Sequence, residues 1–380
     1  MSNENRNVPE LRFPGFEDEW KNNELGKLLS IISGHSPSYY SEGSEYPLYK
    51  VNDLNNNSKF QNYSDLYVEK KHTPLNKKVI IFPKRGAAIL LNKIRIINTP
   101  GYIDTNLMGL EFNDVNDTEF YYYAILREGL YRIADTSTIP QINNKHILPY
   151  KIYSPSYIEK NKLGNFFSKL DQQIELEEQK LAKLEEQKKG YMQKIFSQEM
   201  RFKDENGNDY PDWEETTLKN ITNYISSKKS SNQYNERNNS KGYPVYDAIQ
   251  EIGKDLQYDM EEPYISILKD GAGAGRLNLR AGKSSVIGTM GYIQANNVDI
   301  QFLYYRMKLL NFRKFIIGST IPHLYYKDYS KEKILIPTSN DEQKKIGHFI
   351  LNIDKLIDNK TLKLDYLKQR KQGLLQRMFV

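Results

Sequence analysis

"SPSYIEKNKLGNFFSKLDQQIELEEQKLAKLEEQKKGYMQKIF" runs from Ser154 to Phe196, and "TSNDEQKKIGHFILNIDKLIDNKTLKLDYLKQRKQGLLQRMF" runs from Thr338 to Phe379. At a constant offset of 183 residues the two stretches match densely: Ser156 meets Ser339, Glu159 meets Glu342, and Gly164 meets Gly347. Phe166 meets Phe349, Asp171 meets Asp354, Ile174 meets Ile357, Leu181 meets Leu364 and Leu184 meets Leu367. Gly190, Gln193 and Phe196 meet Gly373, Gln376 and Phe379. Upstream of each stretch stands the tetrapeptide S-T-I-P, at Ser137–Pro140 and Ser319–Pro322. A fainter match opens each half, where "LRFPGFEDEWKNNELGKLLSII" parallels "MRFKDENGNDYPDWEETTLKNITNYI" and aligns Trp20 with Trp213 and Leu25 with Leu218. The chain reads as a tandem duplication with halves near 1–197 and 198–380.

Each half closes on a long helix. Steps of three and four residues give Phe167, Leu170, Ile174, Glu177, Leu181, Leu184, Lys188, Tyr191 and Ile195 in the first copy. In the second they give Ile350, Ile353, Ile357, Lys360, Leu364, Leu367, Lys371, Leu374 and Met378. A 3-4 pattern held this long predicts a coiled-coil seam, and 40 residues of helix span about 60 Å. Two amphipathic helices each packed on its own domain would be the alternative, but one narrow stripe per helix favours their pairing with each other. The polar breaks at Glu177, Lys188, Lys360 and Lys371 are expected to limit stability and fix register. Ser156 with Glu159, and Ser339 with Glu342, spell a capping box at each helix start.

The remainder, roughly 21–150 and 214–335, reads as short strands and turns with some helix: β-branched runs punctuated by Gly, Pro and Asn. Both parts share a skeleton. An apolar strand leads to a basic or glycine-rich turn (Lys84-Arg85-Gly86; Lys269-Asp270-Gly271), then a second strand, an aromatic helix ("TEFYYYAILREGLYRI"; "IQFLYYRMKLLNFRKFI") and S-T-I-P. The fold class expected is therefore α+β or mixed: two α/β globules alternating with two long helices that pair as a coiled coil, in a pseudo-twofold duplication.

A chain of 380 residues has room for two or three domains. With no cysteine it excludes disulfides and Cys-ligated metal sites, and this fits a reducing cytoplasm. No apolar run approaches bilayer length, and the polar start "MSNENRNVPE" does not read as a signal peptide. The net charge of +6 permits a polyanionic partner without demanding one. The 29 Tyr against two Trp give adaptable hydrogen-bonding surface, or reflect a compositional bias.

No catalytic centre emerges. "EWK" at Glu19–Lys21 and "EKK" at Glu69–Lys71 lack a convincing upstream Asp on a neighbouring strand, as a nuclease would need. "NTPGY" at Asn98–Tyr102 lacks the paired prolines of an adenine methyltransferase loop. "DGAGAG" at Asp270–Gly275 follows a strand but leads into another strand rather than a helix. The five His (35, 72, 146, 323 and 348) are scattered, with no metal-ligand spacing. Basic residues do gather on the turns: Lys84, Arg85, Lys93 and Arg95 in the first globule, Lys269, Arg276, Arg280 and Lys283 in the second. Interleaved Gly lets a backbone approach a phosphate, and Arg forks onto guanine, so these are the candidate DNA contacts.

The layout resembles the specificity subunit of type I restriction–modification enzymes. The two S-T-I-P segments, "YIEKNKLGNFFSKLDQQI", "NDEQKKIGHFILNIDKLI", the "LRFPGF..EW" opening and the "PKRGA...IDTNLMGL" stretch carry the resemblance, which covers essentially all 380 residues. Glu342-Gln343 fits the helix-start pattern, whereas Glu159-Lys160 departs from it and leaves that helix start open. The resemblance implies target recognition domains at 1–155 and 198–338, each reading half of a bipartite double-stranded DNA site. The helices at 156–197 and 339–380 would pair as an antiparallel coiled coil, set the half-site spacing and dock the methyltransferase subunits. Two methyltransferase (modification) subunits and two translocase/nuclease (restriction) subunits would be partners. S-adenosylmethionine, ATP and Mg2+ would be used by those partners and none bound by this chain. Half-sites about one helical turn apart, roughly 34 Å, would suit such a spacer. Two other readings stay open: a coiled-coil scaffold whose globules bind protein or glycan, and a stand-alone nuclease.

Overall fold

The computed structural model describes residues 7–56, 58–135, 139–235 and 241–380. Ser137 and Thr138 of the first S-T-I-P lie outside the described residues. The chain divides into two compact units, 1–180 with 360–380, and 181–359.

In the first unit a five-stranded sheet runs in the order Leu29–Ser33, Leu107–Phe112, Ile80–Pro83, Arg95–Ile97, Phe60–Gln61. Its central strand, Ile80–Pro83, is buried at every residue, which is why it reads as an unbroken apolar run instead of an alternation. Beside it, Glu42–Tyr49 pairs antiparallel with Tyr67–Val68 and parallel with Tyr102–Ile103. Lys21–Glu24 pairs with Lys151–Ser154, which ties the start of the globule to the residues just before the long helix.

The second unit repeats this plan. Thr222–Ser226, Met290–Ala295, Tyr264–Leu268 and Leu277–Arg280 form the sheet. Tyr243–Tyr246 pairs antiparallel with Glu251–Asp255 and parallel with Ser285–Val286. Trp213–Thr217 pairs with Lys333–Pro337.

The long helices are Tyr157–Phe196 and Asn340–Met378, and their first residues are 183 apart, as the repeat requires (157 + 183 = 340). The departure at Lys160 does not move the start. Its ammonium pairs with the Asp117 carboxylate. In the other copy Gln343 accepts from Asp299 N–H at 2.8 Å and donates to Pro337 O at 2.8 Å.

The capping-box reading is corrected by what the two glutamates meet. Arg12 Nε and Nη2 fork onto Glu159 at 2.7 and 2.7 Å, and Arg201 forks onto Glu342 at 3.1 and 2.9 Å. Both glutamates are buried. A bidentate guanidinium outcompetes a single backbone N–H for a carboxylate. The Ser156 hydroxyl accepts only a long 3.5 Å bond from Glu159 N–H.

Within each unit the long helices run antiparallel, and the polar breaks are all paired. In the first unit Lys371 bonds Asp171 at 2.5 Å, and Glu177 accepts from Lys360 at 2.8 Å and Lys363 at 3.0 Å. Those two ammonium groups push the Glu177 pKa down to about 2. In the second unit Lys188 pairs with Asp354, the repeat equivalent of Lys371 with Asp171. Each Asp also accepts a tyrosyl hydroxyl from the aromatic helix of its own unit. Tyr123 of Thr118–Glu128 reaches Asp171 at 2.5 Å, and Tyr305 of Ile300–Lys308 reaches Asp354 at 2.6 Å.

Most of the predicted seam is buried: Phe167, Leu170, Ile174, Ile195, Ile350, Ile353, Leu364, Leu367 and Met378. Leu181, Leu184, Ile357 and Leu374 are half-buried, while Tyr191 is 38% exposed and the adjacent Met192 is 8% exposed. Leu375 is likewise buried beside Leu374. An ideal helix drifts about 20° per heptad against a 3.5-residue repeat. Over the 24 residues from Phe167 to Tyr191, or from Ile350 to Leu374, that amounts to most of one residue position. The seam residues then enter the globule cores, where Trp20–Phe120–Phe379 and Trp213–Phe302–Phe196 make equivalent ring clusters, one in each unit. Among the described residues no helix is long and apolar enough to cross a membrane.

Candidate nucleic-acid interface

The turn that follows each central strand carries Lys84 and Arg85 in the first unit and Lys269 in the second, and the proline that ends S-T-I-P holds it. In the first unit Gly86, at φ +84°, donates its N–H to Pro140 O at 2.8 Å. Ile142 N–H returns to Lys84 O at 2.9 Å, and Arg85 bridges Gln141. In the second unit Gly271, at φ +94°, donates to Pro322 O at 2.9 Å, Leu324 N–H returns to Lys269 O at 2.8 Å, and Asp270 bridges His323. The left-handed glycine turns the chain at low steric cost, and the proline carbonyl receives its N–H. A third loop completes each rim: Lys84 N–H donates to Asn106 O at 2.8 Å, and Lys269 N–H to Thr289 O at 2.9 Å.

The clamp is thus built twice with different side chains on it. Arg85 is exposed and Lys84 half-exposed. At the position of Arg85 the second unit has Asp270, whose Oδ1 meets His323 Nδ1 at 2.7 Å and whose Oδ2 accepts from Lys269 Nζ at 2.5 Å. Burial favours the neutral acid, but the hydrogen bonds from Lys269 and His323 outweigh it and hold the Asp270 carboxyl below its usual range. The sequence reading did not single out His323, Gln141 or this network. The only signal for them is their place directly after the repeated proline.

The other candidates divide by what they already touch. Arg276 is exposed, and Lys283 is exposed with Glu261 at 3.8 Å. Lys93 bonds the Asn55 side chain. Arg95 is turned inward. Its guanidinium donates to Ile94 O at 2.8 Å and Leu54 O at 2.9 Å, and also to Asn56, and burial pulls its pKa down. Arg280 lies 4.1 Å over the Tyr246 ring and donates to Asp247 O at 3.0 Å, with its pKa lowered by burial. Arg95 and Arg280 therefore brace the loops that their backbone partners belong to, whereas Lys84, Arg85 and Arg276 have no side-chain hydrogen bond or ion pair among the described residues and can meet a ligand.

The sequence matches the family described as "Type I restriction modification DNA specificity domain" over residues 17–186 and again over 210–369. A curated relative, the type I restriction enzyme MjaVIII specificity subunit of Methanocaldococcus jannaschii, is 27% identical over 200 residues, 48% of this chain and 46% of that protein. The chain spans about half the length of the curated relative it matches. Among solved structures, the type I restriction-modification system S subunit from M. genitalium superposes with a TM-score of 0.71 at 18% identity, covering 98% of this chain and 99% of that one. A chain from work on complex assembly and conformational transition of the type I R-M system superposes with a TM-score of 0.54 at 13% identity, covering 96% and 98%. With both halves matched, the chain belongs to the type I restriction modification DNA specificity domain family and carries that domain twice.

Proposed function

We propose that this chain is the sequence-reading subunit of a type I restriction–modification complex in the cytoplasm, and that it catalyses no reaction itself. The observation that carries this reading is the twice-built clamp. One frame presents Lys84-Arg85 in the first unit and Lys269-Asp270 beside His323 in the second. An arginine forks onto guanine O6 and N7, whereas a carboxylate accepts from cytosine N4. Two such rims on one frame suit an asymmetric, two-part DNA site. Residues 1–155 and 198–338 are the two readers, and the helices at 156–197 and 339–380 set their spacing and dock two modification subunits. Methyl transfer from S-adenosylmethionine, and ATP- and Mg2+-dependent translocation and cleavage, belong to the modification and restriction subunits.

The test is genome-wide mapping of N6-methyladenine in cells expressing this chain with a matching modification subunit, beside cells lacking this chain. A bipartite motif that appears only with the chain is the expected result. With an active partner and a formed complex, absence of any chain-dependent motif refutes the reading. Arg85→Ala should relax the first half of the motif alone by about 1–3 kcal/mol of discrimination. Equal relaxation of both halves would contradict separate readers.

A further inference from the structure

A cluster of rings and cations in the first unit lies beside the clamp and was absent from the sequence candidates. His35 N–H donates to Ile103 O at 3.2 Å and bridges Asp104, two residues from the Asn106 carbonyl that receives Lys84 N–H. His35 therefore stands on the same rim as Lys84 and Arg85. Its ring stacks on Tyr39 at 4.5 Å and 24°, and the Lys71 ammonium lies 5.3 Å from the Tyr39 centroid. His35, Tyr39 and Lys71 are exposed.

The support beneath them is rigid. Tyr102, 1% exposed, accepts the N–H groups of Lys71 at 3.2 Å and His72 at 3.4 Å and donates to His72 O at 2.6 Å. His72 uses both ring nitrogens internally, on Tyr40 Oη at 3.2 Å and Thr73 O at 3.0 Å. Buried Tyr40 tilts against Tyr102 at 4.8 Å. Among the described residues no hydrogen bond or ion pair ties up the Lys71 ammonium, the Tyr39 hydroxyl or the His35 imidazole. The nearby Asp104 carboxylate is folded onto Asn106, at 3.0 Å to its N–H and 3.2 Å to its Nδ2. An exposed ammonium, phenol and imidazole gathered at one ring make a donor set for an anionic oxygen. With His35 and Lys71 already against the Tyr39 ring, the polar edges are what the cluster offers.

We propose that Lys71, Tyr39 and His35 form a phosphate-binding patch that grips the backbone of duplex DNA next to the bases read by the first unit. The proposal rests on the DNA-recognition reading. It is confined to one half-site. Lys229 bridges Ile287 where His35 bridges Asp104, but its ammonium is consumed by Asp255 at 2.8 Å and Asp259 at 3.5 Å.

Phosphate contacts are independent of sequence, so a 30-base-pair duplex of arbitrary sequence serves as the probe for the full chain, titrated from about 50 to 200 mM NaCl. One released contact carries a slope near 0.9, so across this fourfold salt range Lys71→Ala should lose roughly 3.5-fold less affinity than the wild type. Lys71→Arg should restore the slope. Tyr39→Phe should weaken binding severalfold at every salt with the slope unchanged. The exposed helical Lys183, changed to Ala, serves as the control for net charge. A Lys71→Ala line parallel to wild type, or a Lys183→Ala change as large, overturns the patch while leaving the recognition reading standing. A wild-type chain without salt-dependent affinity sinks both.

Discussion

Four glycines interrupt the long helices, and their surroundings demand opposite responses to alanine. At Gly347 an added Cβ would stand 2.8 Å from Phe302 N and 2.9 Å from both Asp299 Oδ1 and Gln301 Cβ. At its repeat equivalent, Gly164, it would stand 2.9 Å from Glu119 Cβ and 3.2 Å from Phe120 N. At Gly190 and Gly373 it meets nothing within 4 Å. Alanine is favoured over glycine in a helix by about 0.5–1 kcal/mol, so Gly190→Ala and Gly373→Ala should stabilise by that amount. At Gly347 the gain is the same, but carbon contacts need about 3.5 Å, so the start of helix Ile300–Lys308 must withdraw by roughly 0.7 Å. Such overpacking costs about 1–3 kcal/mol. It also strains the cap, where Asp299 accepts from Gln301 N–H at 3.0 Å and Phe302 N–H at 2.8 Å, a cap worth about 1 kcal/mol. The net effect is destabilisation by about 1–3 kcal/mol. The two tryptophans give one reporter per unit, Trp20 in the first core and Trp213 in the second. In a Trp20→Phe background, urea unfolding read by Trp213 should show Gly190→Ala raising the midpoint by about 0.3–0.5 M and Gly347→Ala lowering it by about 0.5–1.5 M, at a slope near 2 kcal/mol/M. A raised midpoint for Gly347→Ala would refute the close-approach argument.

Arg201→Met strands the Glu342 carboxylate, which is 0% exposed, and should cost about 3 kcal/mol in the same assay, with Arg201→Met/Glu342→Met recovering most of it. Equal losses in the single and double variants would show that the pair is not what matters. Glu177 has a folded pKa near 2 against an ordinary value of 4.5. A depressed folded pKa contributes stability that is complete above the unfolded value and lost as pH falls through the folded one. Wild type should therefore lose stability relative to Glu177→Gln between about pH 4.5 and 2, and parallel acid titrations would remove the ammonium pairing from the account. Asp270→Asn takes a negative charge off the second rim, so affinity for a duplex of arbitrary sequence at low salt should rise severalfold; an unchanged affinity would mean that this rim does not face DNA.

The long helices and the shared skeleton of the globules were legible because the repeat supplied two readings of each element. A heptad or an S-T-I-P that occurs twice at one offset is hard to mistake for chance. What stayed hidden was partnership across long sequence distances. Glu159 and Glu342 look like capping residues until Arg12 and Arg201 arrive from 147 and 141 residues upstream. Asp171 and Asp354 were visible as a match, but nothing local says that each gathers a tyrosine from an aromatic helix and a lysine from the opposing long helix. The shift from Tyr191 to Met192 came from helical drift that a 3-4 count ignores. Among the basic candidates, Arg95 and Arg280 could not be told from Arg85 by residue type. Their difference lies in backbone carbonyls brought near by the fold. The His35–Tyr39–Lys71 cluster was missed because Lys71 comes from a different segment than His35 and Tyr39, in a loop whose backbone is held by Tyr102.

The pattern of what the two halves share follows from burial. The Arg–Glu forks, the Tyr–Asp–Lys groups, the Trp–Phe–Phe clusters and the Gly164 and Gly347 approaches are enclosed or geometrically exact, and removing one member leaves a stranded charge or a clash worth several kcal/mol. The clamp needs a left-handed glycine and a proline carbonyl, and both halves keep Gly86 with Pro140 and Gly271 with Pro322. Side chains on the rim carry no such constraint, since exposed substitutions usually change stability by less than about 0.5 kcal/mol. Arg85 and Asp270 occupy one place in the frame, as do Gln141 and His323, and His35 and Lys229. A surface free to vary on a frame that is not free to vary lets one architecture hold two different readers. That condition would fail if swapping rim residues between the units, such as Asp270→Arg with His323→Gln, unfolded the second unit while leaving its clamp residues unchanged.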